Sequence, residues 1–242
     1  MSDDPGLSAA PGSAVVIGAG GGIGAALMAR LRALDDGSDV MGLSRNTVPA
    51  LDYSDEAGVQ AAAQWVAQRC EASGQPLRLL IVATGFLHGD SGLPERSFMN
   101  LDAAYLQQVF AINTLGPALV MKHFLPLLPK QGRCVAGFLS ARVGSISDNA
   151  LGGWYGYRAS KAALNQLVKT ASIEMTRRNK QSICVALHPG TVATALSQPF
   201  AKTGLNVRSA DEAAGNLLRV LNSLQAGDTG CLMDYQGAKL PY

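Results

Sequence analysis

Short apolar runs alternate along the chain with longer segments whose apolar residues recur at helical spacing. In residues 55–72, for example, Val59, Ala63 and Val66 would lie on one face of a helix. The run 77–84 is almost continuously apolar, which is typical of a strand that is buried on both faces of a sheet. The alternation of the two patterns predicts a parallel sheet covered by helices on both faces.

The pattern predicts an α/β fold of about seven strands. The predicted strands cover residues 14–17, 39–44, 48–51, 77–84, 134–140, 182–187 and 230–235. The predicted helices cover residues 25–31, 55–72, 102–128, 155–178 and 211–224, and prolines 126 and 129 end the third of them. The sequence has no internal repeat and no linker, so residues 13–242 are expected to form a single domain that follows a flexible amino-terminal arm of residues 1–12.

Composition narrows the class of protein. The chain has 242 residues with a net charge of +2, and 16% of its residues are charged. It contains no basic tract, so nucleic acid is not expected as a partner. The four cysteines are far apart, which is typical of buried thiols in a reducing compartment rather than of a metal site or a disulfide framework. Residues 1–12 lack the basic flank and apolar core of a signal peptide or membrane span, so we expect a cytoplasmic protein without membrane contact.

A glycine-rich segment follows the first predicted strand. It reads Gly18-Ala19-Gly20-Gly21-Gly22-Ile23-Gly24 and leads into the first predicted helix. Such a turn lets the backbone approach a pyrophosphate, and the helix amino terminus supplies free N–H groups and the positive end of its dipole. No Lys-Ser or Lys-Thr follows the glycines, which argues against a nucleoside-triphosphate loop. The segment therefore predicts a pyrophosphate-binding turn, and an ordinary glycine-rich turn is the alternative.

Tyr157 and Lys161 lie four residues apart in the predicted helix 155–178, so a phenol and an ammonium would share one helix face. A free phenol has a pKa of about 10, and a nearby cation favours the phenolate. At an effective dielectric of about 20, a unit charge about 4 Å away is worth about 4 kcal/mol, enough to bring a tyrosine pKa into the physiological range. The pair is therefore a candidate general acid or base. The spacing alone fits a solvated surface pair as well.

The glycine turn and the Tyr-x-x-x-Lys motif together resemble those of the short-chain dehydrogenase/reductase family, which carries T-G-x-x-x-G-x-G and Y-x-x-x-K. Further matches are Asn113, Asp52 and the run His188-Pro189-Gly190-Thr191-Val192-Ala193-Thr194. The resemblance covers the chain from about Ser13 onward, and residues 142–158 are most similar to the C-factor and sniffer-like branch of carbonyl reductases. It implies a single-domain Rossmann-type doubly wound sheet, a nicotinamide cofactor, a small carbonyl or alcohol substrate, and a homodimer or homotetramer.

The resemblance also implies roles for individual residues. Tyr157 would protonate or deprotonate the substrate oxygen, and Lys161 would lower the pKa of Tyr157 and bind the nicotinamide ribose. Asn113 would hold a water that links Lys161 to solvent, although a mid-helix asparagine with a local backbone bond is the alternative. The expected cofactor-binding residues are Gly18, Gly20, Gly22, Ile23, Gly24, Arg45, Asp52, Tyr53, Ala83, Gly85, Tyr157, Lys161, Pro189, Gly190, Thr191, Val192 and Thr194.

The end of the second predicted strand bears on the choice between NADP and NAD. The sequence Gly42-Leu43-Ser44-Arg45-Asn46 has no acid for a ribose 2′-hydroxyl and one arginine for a 2′-phosphate. We therefore expect NADP(H) rather than NAD(H), unless Arg45 is an ordinary solvated charge. By the resemblance, Asp52 and Tyr53 would hold the adenine, and the alternative is that Asp52 simply begins a turn.

The chain departs from the family pattern in two places. Val82-Ala83-Thr84-Gly85 replaces the family's N-N-A-G, so cofactor contact there would be made by the backbone. Alignment on Gly144 places Ala141 where the family has its catalytic serine. We take Ser140 as the catalytic candidate, although adjacent side chains of a strand point to opposite faces unless the strand end is bulged. Ser145 could reach in from the loop instead, or no serine serves, and a lost oxyanion donor costs on the order of 10²- to 10³-fold in turnover.

Two functions of different class follow from these residues. The first is an NADP(H)-dependent oxidoreductase acting on a carbonyl or alcohol. The second is a regulatory or signalling protein that binds the cofactor but has little turnover. The histidines, including His188, are interpreted as packed or solvated residues because no metal spacing and no triad partner accompanies them. Residues 195–208 are expected to form a partly apolar lid over the substrate site.

Overall fold

The computed structural model describes residues 12–89, 92–197 and 207–242. The predicted amino-terminal arm, apart from Gly12, lies outside the described residues, and so does most of the predicted lid (198–206).

One sheet of seven strands forms the centre of the described structure, in the order β2-β1-β3-β4-β5-β8-β9. Neighbouring strands pair in parallel except β9, which runs antiparallel to β8. A separate pair is formed by β6 and β7. The strands are β1 Ser13–Ile17, β2 Val40–Leu43, β3 Leu77–Val82, β4 Cys134–Leu139, β5 Ser182–His188, β6 Thr191–Val192, β7 Val207–Arg208, β8 Leu232–Asp234 and β9 Lys239–Leu240.

The helices connect these strands and lie where they were predicted, with one exception, although α1 is five residues longer than its prediction. They are α1 Gly22–Ala33, α2 Glu56–Ser73, α3 Ala103–Phe110, α4 Gly116–Phe124, α5 Tyr155–Arg178 and α6 Ala210–Ser223. The exception is the long helix predicted over 102–128, where a π-helical turn, Ala111–Leu115, separates α3 from α4. Within the described residues, no helix is long and apolar enough to cross a membrane.

Two apolar cores enclose the sheet, because successive strand residues point to opposite faces. Val15 and Ile17 of β1 pack in the core that contains side chains of α2, α4 and α5. Ala14 and Val16 pack in the core that contains side chains of α1 and α6. Helices on both faces of a mostly parallel sheet confirm the predicted doubly wound α/β fold.

The strand predicted over residues 48–51 is wrong. The chain turns there instead: the hydroxyl of Thr47 donates to the carbonyl oxygens of Ser44 and Pro49, and the N–H of Leu51 donates to Ser44 as well. Pro49 has no N–H to offer to a sheet, and Val48 is 95% exposed. The seventh strand of the sheet is β9, a two-residue strand that the apolar pattern did not predict.

Candidate active site

The glycine turn lies between β1 and α1, at the carboxyl edge of the parallel strands. Gly18 has a φ of +87°, which favours glycine, and a Cβ at Gly24 would lie 2.1 Å from the carbonyl oxygen of Gly18. Helix α1 begins at Gly22 without a side-chain cap, so its first N–H groups are not satisfied by a capping residue. Gly20, Gly21 and Gly22 are exposed. This turn has the bare, uncapped geometry that fits a pyrophosphate.

The Pro189–Gly190 turn and the residues after it lie against the glycine turn. A Cβ at Gly22 would lie 2.9 Å from Cγ2 of Thr194, so the two segments touch through these residues. Gly190 has a φ of +80°, and a Cβ there would lie 3.1 Å from the ring of Tyr235. The predicted residues Ile23, Pro189, Gly190, Thr191, Val192 and Thr194 all line one cavity. The structure therefore brings the two glycine-containing motifs to one place.

The three residues predicted to recognise the adenosine half follow β2. Arg45 is exposed, and its charge contributes to the lowered pKa of Asp52, after the larger effects of the hydrogen bonds from Ser54. Those bonds run from the N–H and hydroxyl of Ser54 to Oδ1 of Asp52. Asp52 is thus part of a local turn, as the alternative interpretation states, and its carboxylate is exposed.

Tyr53 has a structural contact that the sequence did not indicate. Its hydroxyl shares a 2.9 Å hydrogen bond with Oγ1 of Thr84, and its ring occupies the space beside Gly116, where a Cβ would lie 2.0 Å from it. Burial raises the pKa of Tyr53. Thr84 therefore ties the end of β3 to the segment after β2, at a position where the family pattern has an alanine.

Ala83 and Gly85 lie at the end of β3. The N–H of Ala83 donates to Ile17 at 2.7 Å, and a Cβ at Gly18 would lie 2.9 Å from the carbonyl carbon of Ala83. A Cβ at Gly85 would lie 3.9 Å from both Oδ1 of Asn113 and Nζ of Lys161. Gly85 thus borders the space between these two predicted catalytic residues.

Tyr157 lies in the first turn of α5 and in the wall of a cavity of about 220 Å³. Residues 140–143 and 188–192 form other parts of this wall. The side chain of Tyr157 is 8% exposed, and its ring packs edge-on against Trp154 with the centroids 6.1 Å apart. Among the described residues, the phenol oxygen has no hydrogen-bond partner, so it is free to bind a group in the cavity.

Lys161 follows Tyr157 by one helical turn. Its Nζ lies 5.8 Å from the centroid of the Tyr157 ring and donates a 2.8 Å hydrogen bond to the carbonyl oxygen of Leu139, at the end of β4. The side chain is 2% exposed. This pair is therefore buried beside the cavity and is not the solvated surface pair that the spacing alone allowed.

Burial sets the protonation of both groups. It raises the pKa of Tyr157 to about 12 and lowers the pKa of Lys161 to about 7. The lowered tyrosine pKa expected from the spacing is thus absent in the protein alone, because the loss of hydration disfavours both charged forms. A neutral phenol is the form that can give a proton.

Asn113 lies in the π-helical turn and is fully buried. Its Nδ2 donates to the carbonyl of Phe86 and to the hydroxyl of Ser160, and its Oδ1 accepts from the N–H of Phe86. The Ser160 hydroxyl in turn donates to the carbonyl oxygen of Tyr157. Asn113 therefore joins the segment after β3 to the first turn of α5. Its Oδ1 accepts one hydrogen bond and keeps a second lone pair for another.

The serine candidates differ in position. Ser140 lines the cavity, but its hydroxyl donates a 2.6 Å hydrogen bond to Oδ1 of Asn165, a buried residue of α5. Ala141 lines the cavity too and carries no hydroxyl. Ser145 is 2% exposed, and its oxygen accepts from the N–H of Asp148. Gly144 lies directly against α5, since a Cβ there would lie 2.8 Å from the Cβ of Lys161.

Sequence reasoning missed Glu95. Its carboxylate is 3% exposed and accepts hydrogen bonds from the N–H of Gly156 at 3.1 and 3.3 Å, and its carbonyl oxygen accepts from the N–H of Trp154 at 2.5 Å. Trp154 precedes α5 with a φ of +53°. A buried carboxylate at a helix amino terminus is stabilised by the helix dipole, so Glu95 fixes the start of the helix that carries Tyr157. Because the two segments lie about 60 residues apart, no local motif pointed to it.

His188 also lines the cavity. The sequence was interpreted as placing a packed or solvated histidine here, and a position in the cavity wall was not expected. In the described part of the chain, no group of three or more His, Cys, Asp and Glu side chains is arranged to hold a metal ion.

Comparison with known proteins identifies relatives along the chain. A family model described as enoyl-(acyl carrier protein) reductase matches residues 24–229. The C-signal protein of Myxococcus xanthus is 35% identical over 143 residues, which are 59% of this chain and 82% of that protein. The 1-hydroxy-2-glutathionyl-2-methyl-3-butene dehydrogenase of Rhodococcus sp. (strain AD45) is 29% identical over 210 residues, 86% of each chain.

Solved structures share the fold. An NADPH-bound carbonyl reductase from chicken fatty liver is 26% identical, covers 96% of this chain and 100% of its own, and has a TM-score of 0.82. The carbonyl reductase Sniffer of D. melanogaster has the same TM-score of 0.82 and coverage at 21% identity, which supports the fold alone. The predicted likeness to C-factor and sniffer-like proteins is confirmed. Since the family model spans most of the chain, this protein belongs to the short-chain dehydrogenase/reductase family and is an oxidoreductase of that family.

Proposed function

We propose that this protein is an NADP(H)-dependent oxidoreductase that transfers hydride between the nicotinamide and a small carbonyl or alcohol substrate. The observation that carries the proposal is the unpaired phenol of Tyr157 in the cavity wall, with Lys161 Nζ 5.8 Å from its ring. The glycine turn fits a dinucleotide pyrophosphate. The chicken carbonyl reductase, which shares the fold at 26% identity, contains NADPH.

Each residue of the pair has a distinct part in the proposed reaction. The cofactor supplies or accepts the hydride. Tyr157, neutral with a pKa of about 12, gives its proton to the substrate oxygen during reduction and takes it back during oxidation. Lys161 donates one N–H to Leu139, which leaves two donors for the phenolate that forms and for a ribose hydroxyl. With a pKa of about 7, Lys161 can also pass a proton at neutral pH.

Asn113 is proposed to support the return of protons from solvent. Its Nδ2 donors are both used within the protein, so a relay water would be held by one of its carbonyl oxygens. The space beside Gly85, which lies between Asn113 Oδ1 and Lys161 Nζ, is the place for that water. Ser140 stays a predicted catalytic residue, although its proton points to Asn165 and not into the cavity.

The preference for NADP(H) over NAD(H) rests on Arg45. This arginine is exposed after β2, near enough to Asp52 to affect its pKa, and it can make bidentate contacts to a 2′-phosphate. We further propose a homodimer or homotetramer located in the cytoplasm, as the family resemblance implies.

A regulatory protein with little turnover is the second candidate. Ala141 favours it, because the position that carries the catalytic serine in the family has no hydroxyl here. A relative that is 35% identical over 143 residues is named C-signal.

Reduction of an aldehyde and ketone panel with NADPH tests the proposal. Tyr157→Phe is expected to lower kcat/KM by about 10²- to 10⁴-fold, the usual contribution of a general acid, while NADPH binding is unchanged. Tyr155→Phe is the matched control, because Tyr155 lies two residues earlier and is 39% exposed. Wild-type protein that binds NADPH without reducing any substrate favours the regulatory alternative. Absence of nicotinamide binding, or full activity of Tyr157→Phe, overturns the proposal.

A further inference from the structure

His188 is a partly buried histidine whose ring makes no hydrogen bond to the described residues. It is the last residue of β5 and lines the cavity that holds Tyr157, and its Nδ1 is enclosed with no partner among the described residues. Nε2 has no hydrogen-bond partner there either. The ring is in edge-on contact with Tyr235, with the centroids 6.5 Å apart, but this contact satisfies neither nitrogen. Buried polar atoms are normally paired, so the enclosed Nδ1 is an exception, and it bears on which ring nitrogen carries the proton.

The charge and the tautomer of His188 follow from its surroundings. Burial lowers the pKa of His188 to about 4. The charge of Asp234 opposes this shift and the charges of Arg142 and Arg208 add to it, so the ring is neutral at physiological pH. A neutral imidazole carries its proton on one nitrogen. A proton on the enclosed Nδ1 would be a buried donor without an acceptor, which is rarer in proteins than an unpaired acceptor. The proton therefore belongs on Nε2, and that N–H is available to a group in the cavity.

In the family pattern a serine at position 141 donates to the substrate oxygen, and among the described residues of this segment no hydroxyl points into the cavity in its place. Ala141 has no hydroxyl, and the proton of Ser140 is directed to Asn165. The Ser145 hydroxyl accepts from the N–H of Asp148, and Ser145 is not among the described residues that line the cavity. Beside this segment, the N–H of Ser140 donates to Leu187, the residue before His188. The ends of β4 and β5 are thus hydrogen-bonded neighbours, and His188 lies next to the place where a serine hydroxyl is absent.

We propose that His188 donates a hydrogen bond from Nε2 to the substrate oxygen beside Tyr157, in place of a serine hydroxyl at position 141. The inference rests on the proposed function, because it names a further catalytic residue of the same site. A fixed donor stabilises the negative charge that develops on the oxygen, and removing one such donor typically costs about 10²- to 10³-fold in turnover. Neutral imidazoles act in this way in other enzymes.

The test compares His188→Leu, His188→Gln and Ala141→Ser, with NADPH as the cofactor. His188→Leu is expected to lower kcat/KM for carbonyl reduction by about 10²- to 10³-fold. His188→Gln, which keeps an N–H donor, should retain more activity than His188→Leu. NADPH binding, followed by its fluorescence, should change by less than about threefold in each variant, which also shows that the variant is folded.

Replacement of Ala141 by serine distinguishes a donor from a packing residue. If His188 holds the substrate oxygen, Ala141→Ser should restore at least about tenfold in the His188→Leu background and add less to the wild type, because the two donors serve one oxygen. The inference is overturned if Ala141→Ser has equal effects in both backgrounds. It is also overturned if kcat/KM of His188→Leu is within about threefold of the wild-type value.

The outcomes also separate this inference from the proposed function. An active wild type that is disabled by Tyr157→Phe but not by His188→Leu overturns the role of His188 alone. A wild type that reduces no carbonyl overturns both.

Discussion

Ser140 donates a 2.6 Å hydrogen bond to Oδ1 of Asn165, and this bond joins the end of β4 to the helix that carries Tyr157 and Lys161. Both side chains are almost completely buried. Nδ2 of Asn165 reaches the carbonyl oxygen of Gly144 at 3.4 Å, so the amide also contacts the turn that follows Ala141. The hydroxyl of Ser140 is therefore used to position a helix, although its residue lines the substrate cavity.

Replacing Ser140 tests whether this hydroxyl is structural or catalytic. Ser140→Ala leaves the Asn165 amide oxygen unpaired in a buried place, so the free energy of unfolding in urea should fall by about 1–3 kcal/mol. Turnover with NADPH should fall by less than about tenfold, whereas loss of an oxyanion donor would cost about 10²- to 10³-fold. Ser145→Ala is the companion variant, since the hydroxyl of Ser145 accepts from the N–H of Asp148 in the adjoining loop. A large fall in kcat with unchanged stability of Ser140→Ala would restore Ser140 as the catalytic serine.

Arg45 is expected to set the preference between the two nicotinamide cofactors. Arg45→Gln removes a charge-assisted contact to the 2′-phosphate, which is worth about 1.5–3 kcal/mol, so the Kd for NADPH should rise by about ten- to a hundredfold. The Kd for NADH should change by less than about twofold, because NADH has no phosphate at that position. Titration of cofactor fluorescence measures both values. Arg32→Gln, at an exposed arginine of α1, is the control. Equal weakening of NADPH and NADH would show that Arg45 does not recognise the phosphate.

The apolar pattern predicted most of the fold because the sheet is covered on both faces. Helix α5 begins and ends at the predicted residues, and β4 differs from its prediction by one residue. The wrong strand over 48–51 had apolar residues but also Pro49 and the Thr47 hydroxyl, whose bonds close a turn. Strand β9 has only two residues, too few to show alternation.

The motifs predicted which residues meet but not how they are held. Tyr157, Lys161 and Asn113 are brought together by α5 and the π-helical turn, and a π turn leaves no distinct mark in residue types. The raised pKa of Tyr157 depends on burial by other segments, which spacing along one helix does not report. Glu95 and His188 reach the site from distant segments, and only the tertiary structure shows the unpaired Nδ1 of His188.

Gly22 and Thr194 lie in contact, so we predict that the width of the cofactor cleft depends on the absence of a side chain at position 22. In Gly22→Ala the new Cβ would lie 2.9 Å from Cγ2 of Thr194, so the Thr194 side chain must shift, and we expect the residues of the Pro-Gly turn around it to be displaced. We expect the Kd for NADPH to rise by about tenfold, in line with an overpacking cost of about 1–3 kcal/mol. Thr194→Ser removes the methyl group and should recover most of the loss when combined with Gly22→Ala.

The control for this pair is Gly227→Ala, where a Cβ would meet no atom within 4 Å. Cofactor affinity that is unchanged in Gly22→Ala, or not recovered by Thr194→Ser, would contradict the contact.

The buried Lys161 should make stability depend on pH. Its pKa is about 10.5 in the unfolded chain and about 7 in the folded protein, so between these values the unfolded chain binds one more proton. The free energy of unfolding then rises with pH by up to about 1.4 kcal/mol per pH unit, and below pH 7 the full cost of burying the ammonium is present. Lys161→Met removes this dependence. The buried thiols are present in both proteins, so their contribution cancels in the difference between the two free energies of unfolding. Urea unfolding of the cofactor-free proteins should be measured between about pH 6 and 9.5. Above pH 7 the free energy of unfolding of the wild type should rise relative to that of Lys161→Met. A difference between the two proteins that stays constant over this range would mean that Lys161 keeps its proton in the folded state.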